Sequence, residues 1–256
     1  MDNLSAPRQK LVVPALGRAV AVLDLLAEET GPLRLSELSQ RLQIAKSTLH
    51  GLCETLVRLG LLQVEAGGFA LGPHVLQWSA AYLGRNDLVR AFDHLMTQDM
   101  RLADYTVTLS VLDQADVVYI GCRNSVRPLG FTFRTGMRVP AVFSATGKAI
   151  LSTLATAARQ AILPTTWPEA FTPASVSDAQ SLETQLDEAA ARGFALDCGE
   201  IRVGMVCVGV PIREAGGAVA AGLAISMTEA EAEMHGPAHF AEIARDLASR
   251  LAFHNP

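Results

Sequence analysis

Between Ser36 and Leu71 the hydrophobic period of the chain changes in a way that few folds accommodate. In "SELSQRLQ" Leu38 and Leu42 are four apart, and in the stretch that follows Leu49, Leu52, Cys53, Leu56 and Leu59 recur three or four apart. That is the spacing of two short amphipathic helices. Ser36 suits the N-cap of the first, and Gly60 stands where a C-terminal glycine ends the second. The period then drops to that of strands in "LLQVEAGGFALG", with β-prone runs at Leu61 to Val64 and Phe69 to Leu71 around a Gly67-Gly68 turn. Upstream, Leu16, Val20, Leu23, Leu26 and Ala27 share one face of a helix that starts at Pro14 and is stopped by Gly31-Pro32. Three helices and a small hairpin, in that order, spell a winged helix-turn-helix.

Length and charge constrain the rest. At 256 residues the chain is long for one domain. The expected organisation is a disordered tail over 1–13, a winged helix-turn-helix over 14–72, a linker helix over 73–86 that opens at Pro73, and a larger domain over 87–256. No apolar run reaches membrane-spanning length, no signal-peptide pattern opens the chain, and Cys53, Cys122, Cys198 and Cys207 are scattered without metal-binding spacing. A cytoplasmic protein without membrane partner, cofactor or metal is expected. Residues 1–84 hold seven Lys/Arg and seven Asp/Glu, so the remaining residues carry the net charge of −5. Composition alone does not announce a nucleic-acid binder; basic groups must be placed locally.

The second part alternates differently. A long amphipathic helix is expected from Asp87 to Ala103, with Leu88, Phe92, Leu95, Met96 and Leu102 inward, then a hairpin of "YTVTLSVLD" and "DVVYIGCR". A loop rich in Arg, Gly and Pro leads to the helix "SATGKAILSTLA", and "SLETQLDEAAARG" forms another. Strands at Phe194 to Cys198, Met205 to Pro211 and Ala218 to Met227 precede a C-terminal helix from Pro237 to Phe253. Helices on a largely antiparallel sheet make the fold class α+β.

With "FALG", "FSATGKAIL", "RGFALDCGE" and "GMVCVGVPI" following "SELSQRLQIAKSTLHGLCETLVRLGLLQ", the sequence resembles the IclR family of bacterial transcriptional regulators from about Leu16 to Phe253. The resemblance implies a winged-helix DNA-binding domain, a linker helix that assists dimerisation and a GAF-like effector-binding domain. It also implies a homodimer or homotetramer on double-stranded operator DNA, with a small organic or aromatic acid as effector.

In a helix-turn-helix the second helix of the pair enters the major groove. Opposite its leucine stripe the third helix carries Ser47, His50, Gly51, Glu54 and Arg58, with Lys46 and Thr48 in the first turn. Ser47, Thr48 and His50 suit base edges, and Lys46 and Arg58 suit phosphates. The competing reading is an ordinary solvated face. Gly67 either lets backbone approach phosphate or simply makes the turn, and Arg18 is a further phosphate candidate. Gly51 stands where many family members have arginine, which either brings the helix closer to DNA or removes a contact.

The resemblance places Ala145 and Thr146, at a helix N-terminus suited to a carboxylate, in an effector site walled by Leu129 and Val139. Asp197, Met205, Cys207 and Ser226 also match pocket positions, and Ala224 replaces a polar residue of some relatives. Against this, Cys207 reads equally as a small core residue and Asp197 as a cap of a neighbouring segment. The histidines (His50, His74, His94, His235, His239, His254) stand in no recognisable catalytic motif, and the chain is expected not to be an enzyme. The alternative to a ligand-responsive regulator is a DNA-binding regulator whose C-terminal domain is purely structural or oligomerising.

Overall fold

The structure, a computed structural model, describes residues 12–127, 130–164, 166–214 and 216–252. Leu129, Phe253 and the expected tail as far as Leu11 lie outside the described residues. The chain divides into two compact units, Met1–Arg85 and Asn86–Pro256.

In the first unit, α1 (Pro14–Glu28), α2 (Leu35–Leu42) and α3 (Lys46–Arg58) precede β1 (Leu62–Glu65), β2 (Gly68–Leu71) and α4 (His74–Gly84). Val22, Leu25, Leu26, Leu38, Leu42, Leu49, Cys53 and Leu56 form its core. Four details differ from the sequence expectation. The buried face of α1 is Val22, Leu25 and Leu26, whereas Leu16 and Val20 are exposed. α1 packs against β2, α3 and α2, and its buried residues all lie in its C-terminal half. Next, α2 starts at Leu35, because the Glu37 carboxylate accepts the Arg34 N–H at 2.7 Å and leaves Ser36 in the first turn.

Leu59 is also exposed. Beyond it Gly60 enters the left-handed region, and the Leu61 N–H reaches the Leu56 carbonyl while the Gly60 N–H reaches that of Val57. This Schellman closure buries Leu61 in place of Leu59. Lastly, β1 and β2 pair from Leu62↔Leu71 to Glu65↔Gly68, so the hairpin turn is Ala66-Gly67, both at positive φ, and not Gly67-Gly68. Gly68 lies inside β2, where a Cβ would come 2.9 Å from the Leu33 carbonyl oxygen. Leu33 bridges Phe69 there and widens the wing.

The second unit is built on one antiparallel sheet of order β5-β4-β3-β8-β7-β6. Its strands are β3 (Thr106–Asp113), β4 (Asp116–Arg123), β5 (Arg138–Pro140), β6 (Ala195–Cys198), β7 (Met205–Arg213) and β8 (Val219–Thr228). One face carries α5 (Asp87–Gln98) and α10 (Pro237–Ala252); the other carries α6 (Ala145–Leu151), with α8 (Ala179–Arg192) against α6. The single helix expected to Ala103 breaks at Asp99, whose carboxylate accepts the Arg101 N–H at 3.1 Å before a 3-10 turn over Met100–Leu102. Two short helices not expected from the sequence, α7 (Thr156–Ile162) and α9 (Glu229–His235), complete the set.

α6 touches the sheet backbone to backbone. A Cβ on Gly209 would come 2.3 Å from the Ala145 carbonyl oxygen, and one on Gly222 would come 2.8 Å from the Thr146 Cβ. Gly147, on the helix itself, would meet the Ala141 carbonyl at 2.2 Å. Only glycine permits these approaches.

Candidate functional site

The DNA-facing candidates gather on α3. Ser39 Oγ donates to the Ile44 carbonyl at 2.7 Å, and Gln43 takes a left-handed conformation, so the chain turns sharply from α2 into α3. Ala45 caps α3 with no side-chain hydrogen bond, leaving the first-turn N–H groups without a side-chain acceptor at the positive end of the helix. Lys46, Ser47, His50 and Gly51 are exposed on one side, and Thr48 is half-buried. Arg18 is exposed on α1.

Arg58 pairs with Glu54 at 2.6 Å one turn away, so this part of the surface carries no net charge until the pair opens. Such an exposed pair is weak, about 0.3–0.5 kcal/mol, and yields readily to a phosphate. Gly51 has ordinary helical backbone, and a Cβ built on it meets nothing within 4 Å. No intramolecular contact requires it. The wing residues from Leu62 to Leu71 include no Lys or Arg, so a phosphate contact there rests on backbone around Gly67.

In the second unit the strand register assembles a polar row. Asp197 on β6 pairs with Cys207 on β7, Cys207 with Ser226 on β8, and Ser226 with Thr106 on β3. All four face the α6 side, because Gly209 and Ala224, two residues along, also do. All four are buried. Cys207 Sγ lies 3.1 Å from Ser226 Oγ, and burial pushes the Cys207 thiol well above its ordinary range. Val139, Ala145, Met205, Cys207 and Ala224 join one apolar cluster on this face.

The two carboxylate oxygens of Asp197 differ in their surroundings, and the reading of Asp197 as a cap holds for one of them. Its Oδ1 accepts the Glu200 N–H at 2.6 Å and the Ile201 N–H at 3.4 Å, which closes the turn after β6. Its Oδ2 is buried with no hydrogen-bond partner. Burial raises the carboxyl to about 7, against the pull of the Glu200 N–H and of Lys148. Near neutral pH it can therefore donate a proton to, or accept one from, a hydrogen-bonding partner. Thr146 Oγ1 and Ser110 Oγ are likewise buried without partners, and Ser110 is paired with Gly222 directly beneath Thr146. An unpaired buried polar group costs about 1–3 kcal/mol, and three of the seven such side-chain atoms among the described residues lie on this face.

Besides Ser110, four residues here were not singled out in the sequence. Lys148 and Glu200, the last residues of "SATGK" and "DCGE", form a buried ion pair. Lys148 also donates to the Leu196 carbonyl at 3.3 Å, and Glu200 accepts the Val176 N–H at 3.0 Å. The two motifs are halves of one contact, and their shared occurrence of opposite charges in otherwise small-residue segments was the available signal. Thr106 completes the row, and Tyr119 is buried close enough to Cys207 and Asp197 that, with desolvation foremost, both push its hydroxyl upward. Tyr119 stacks edge-on with Phe133 at 5.2 Å.

A winged helix with an exposed polar third helix, followed by a helix-flanked antiparallel sheet with a buried polar row, is the architecture of a DNA-binding transcriptional regulator with a second, α+β unit. Sequence comparison bears on both units. Residues 15–66 match the IclR helix-turn-helix domain, and residues 80–253 match the C-terminal domain of bacterial transcriptional regulators of the IclR type. The chain belongs to the IclR family of bacterial transcriptional regulators and is not an enzyme. It is 31% identical over 216 residues to the regulator BhcR of Paracoccus denitrificans, covering 84% of this chain and 77% of that one. The crystal structure of the Agrobacterium tumefaciens repressor BlcR is 42% identical, covers 95% of this chain and 97% of that one, and superposes with a TM-score of 0.61. An IclR homolog from Microbacterium hydrocarbonoxydans, solved in complex with 4-hydroxybenzoate, shares the fold at 22% identity, with a TM-score of 0.76 over 94% of this chain and 98% of that one. Among the described residues no helix is long and apolar enough to cross a membrane.

Proposed function

We propose that this transcriptional regulator is ligand-responsive and controls catabolism of a small organic or aromatic acid from the cytoplasm, as a homodimer or homotetramer on operator DNA. The observation that carries the reading is Asp197 Oδ2, buried and unpartnered beside Cys207, Ser226 and the first turn of α6. In this reading Asp197, Thr146 and Ser226 hydrogen-bond the effector, Ala145 presents backbone, and Val139, Met205 and Cys207 form the apolar wall. The 4-hydroxybenzoate bound by the Microbacterium homolog supports an acid as the ligand class.

Lys46 and Arg58 hold operator phosphates, with Arg18 and the Gly67 backbone in support, while Ser47, Thr48 and His50 read base edges and Gly51 sets how near the helix comes. The effector acts by differential affinity for two arrangements of the oligomer. The linker over 73–86, which includes α4, passes that preference to the separation of the recognition helices. Half-sites match only near one helical turn or a multiple.

A thermal-shift screen of organic acids tests the ligand, since anything binding only the folded protein raises its midpoint. In the responding acid, Asp197→Ala should abolish the shift while operator affinity, measured by salt titration against random DNA, stays as in the parent. An unchanged shift would remove Asp197 from the site, and equal affinity for operator and random DNA would end the DNA-reading assignment. A second unit that binds no acid would favour a purely structural role for it.

A further inference from the structure

The polar row spans four neighbouring strands, about 14 Å at the usual strand spacing, and each end is tied to a segment that leaves the sheet. At the β3 end, Thr106 Oγ1 donates to the Phe131 carbonyl. At the β6 end, Asp197 Oδ1 holds the N–H groups of Glu200 and Ile201, next to Arg202. These segments meet: the Arg202 guanidinium lies over the Phe131 ring, 5.3 Å from its centre. The contact thus joins segments held at the two ends of the row, with Cys207 and Ser226 between them in strand order. Phe131 and Ile201 also pack against the apolar cluster on this face, so the bridge sits on the floor it spans.

Arg202 is exposed, and no ion pair to it occurs among the described residues. Its charge is held over a ring face, whereas Lys148, the other cation by the row, is buried and paired with Glu200. A cation–π contact at an exposed site is weak, and a carboxylate offers the guanidinium a stronger, bidentate partner. Access to Ser226 and Cys207 from this side would part Arg202 from Phe131. An acid alone gains a charge-assisted bond in doing so.

Resting on the effector reading above, we propose that Arg202 and Phe131 form the gate of the effector site, and that Arg202 selects carboxylate-bearing ligands by drawing them in. The selection acts on association. A cation at the mouth of a low-dielectric site raises encounter rates for anions and does so less as salt increases.

The test uses the full chain in a Trp78→Phe background, which leaves Trp167, packed against the same cluster, as the single indole. Benzoate, 4-hydroxybenzoate, phenylacetate and glutarate, each beside its matched amide, are first ranked by thermal shift. Association of the strongest acid and its amide is then followed by stopped-flow fluorescence. Arg202→Gln should slow the acid about tenfold at low salt, within the range that steering supplies, and the deficit should shrink at high salt. The amide should be unaffected, and Arg202→Lys should retain most of the rate. Equal slowing of acid and amide, or no slowing of the acid, overturns the gate while leaving the effector site standing. If none of the compounds shifts the parent midpoint, the effector reading itself falls and the gate falls with it.

Discussion

Lys148→Met is the substitution whose consequence follows most directly from the structure. The two side chains of the Lys148–Glu200 pair are 1% and 5% exposed. Removing the ammonium leaves a buried carboxylate whose remaining partner is the Val176 N–H at 3.0 Å. Breaking a buried pair from one side costs about 3–5 kcal/mol, chiefly because the stranded charge stays desolvated. Glu200→Gln in the same chain removes that charge while keeping an oxygen for Val176, so Lys148→Met/Glu200→Gln should be more stable than Lys148→Met by about 2 kcal/mol, a coupling typical of contacting residues.

The single variant should also depend on pH. A stranded Glu200 has its carboxyl raised, so the folded form binds a proton before the unfolded form does, and stability recovers as pH falls. Urea unfolding in the Trp78→Phe background, followed through Trp167, whose indole N–H donates to the Val176 carbonyl at 2.8 Å, reports on this region directly. Additive penalties in the double variant, together with a deficit equal at pH 5 and pH 8, would refute the reasoning.

Asp197→Asn should flatten the pH dependence of the second unit. The parent carboxyl, held up to about 7 by burial, keeps its proton when the unfolded form has lost it, so parent stability falls as pH rises from about 4 to about 7. Melting curves across that range check this, and parallel slopes for the two proteins would remove the burial effect. Gly51→Ala should stabilise the first unit by about 1 kcal/mol in chemical denaturation, because its Cβ meets nothing and helix propensity improves. Gly51→Arg should bind DNA more tightly and with a steeper salt dependence; an unchanged salt slope would place Gly51 away from the phosphates. Gly209→Ala should destabilise the second unit by more than about 1 kcal/mol in thermal unfolding, since its methyl would enter the Ala145 carbonyl.

Much of this architecture was legible because its signals are local. The periods of α2 and α3, the strands of the second unit and the glycine after α3 are written within a few residues of where they act. What escaped the sequence depends on partners far along the chain. Val22, rather than Leu16 or Val20, faces the core because α1 packs against β2 and α3 as well as α2, partners that no periodicity within α1 encodes. Tyr119 and Gly121 alternate as if they shared a face, but a bulge opposite Leu109/Ser110 sends Gly121 toward Phe92 of α5 and leaves Tyr119 on the α6 side. The polar row likewise exists only once four strands are in register. Asp197, Cys207 and Ser226 were reached through resemblance, while Thr106, on the strand that completes the row, was reachable only through pairing.

The seating of α6 on Gly209 and Gly222 bears on how a signal would travel. Most helices rest on a sheet through a cushion of side chains that can rotate and absorb a displacement of a fraction of an ångström. Here that cushion is missing, and at Gly209 a helix carbonyl rests directly on the strand. A push on Ala145 is at once a push on β7, and a push on Thr146 a push on β8, with no slack between contact and response.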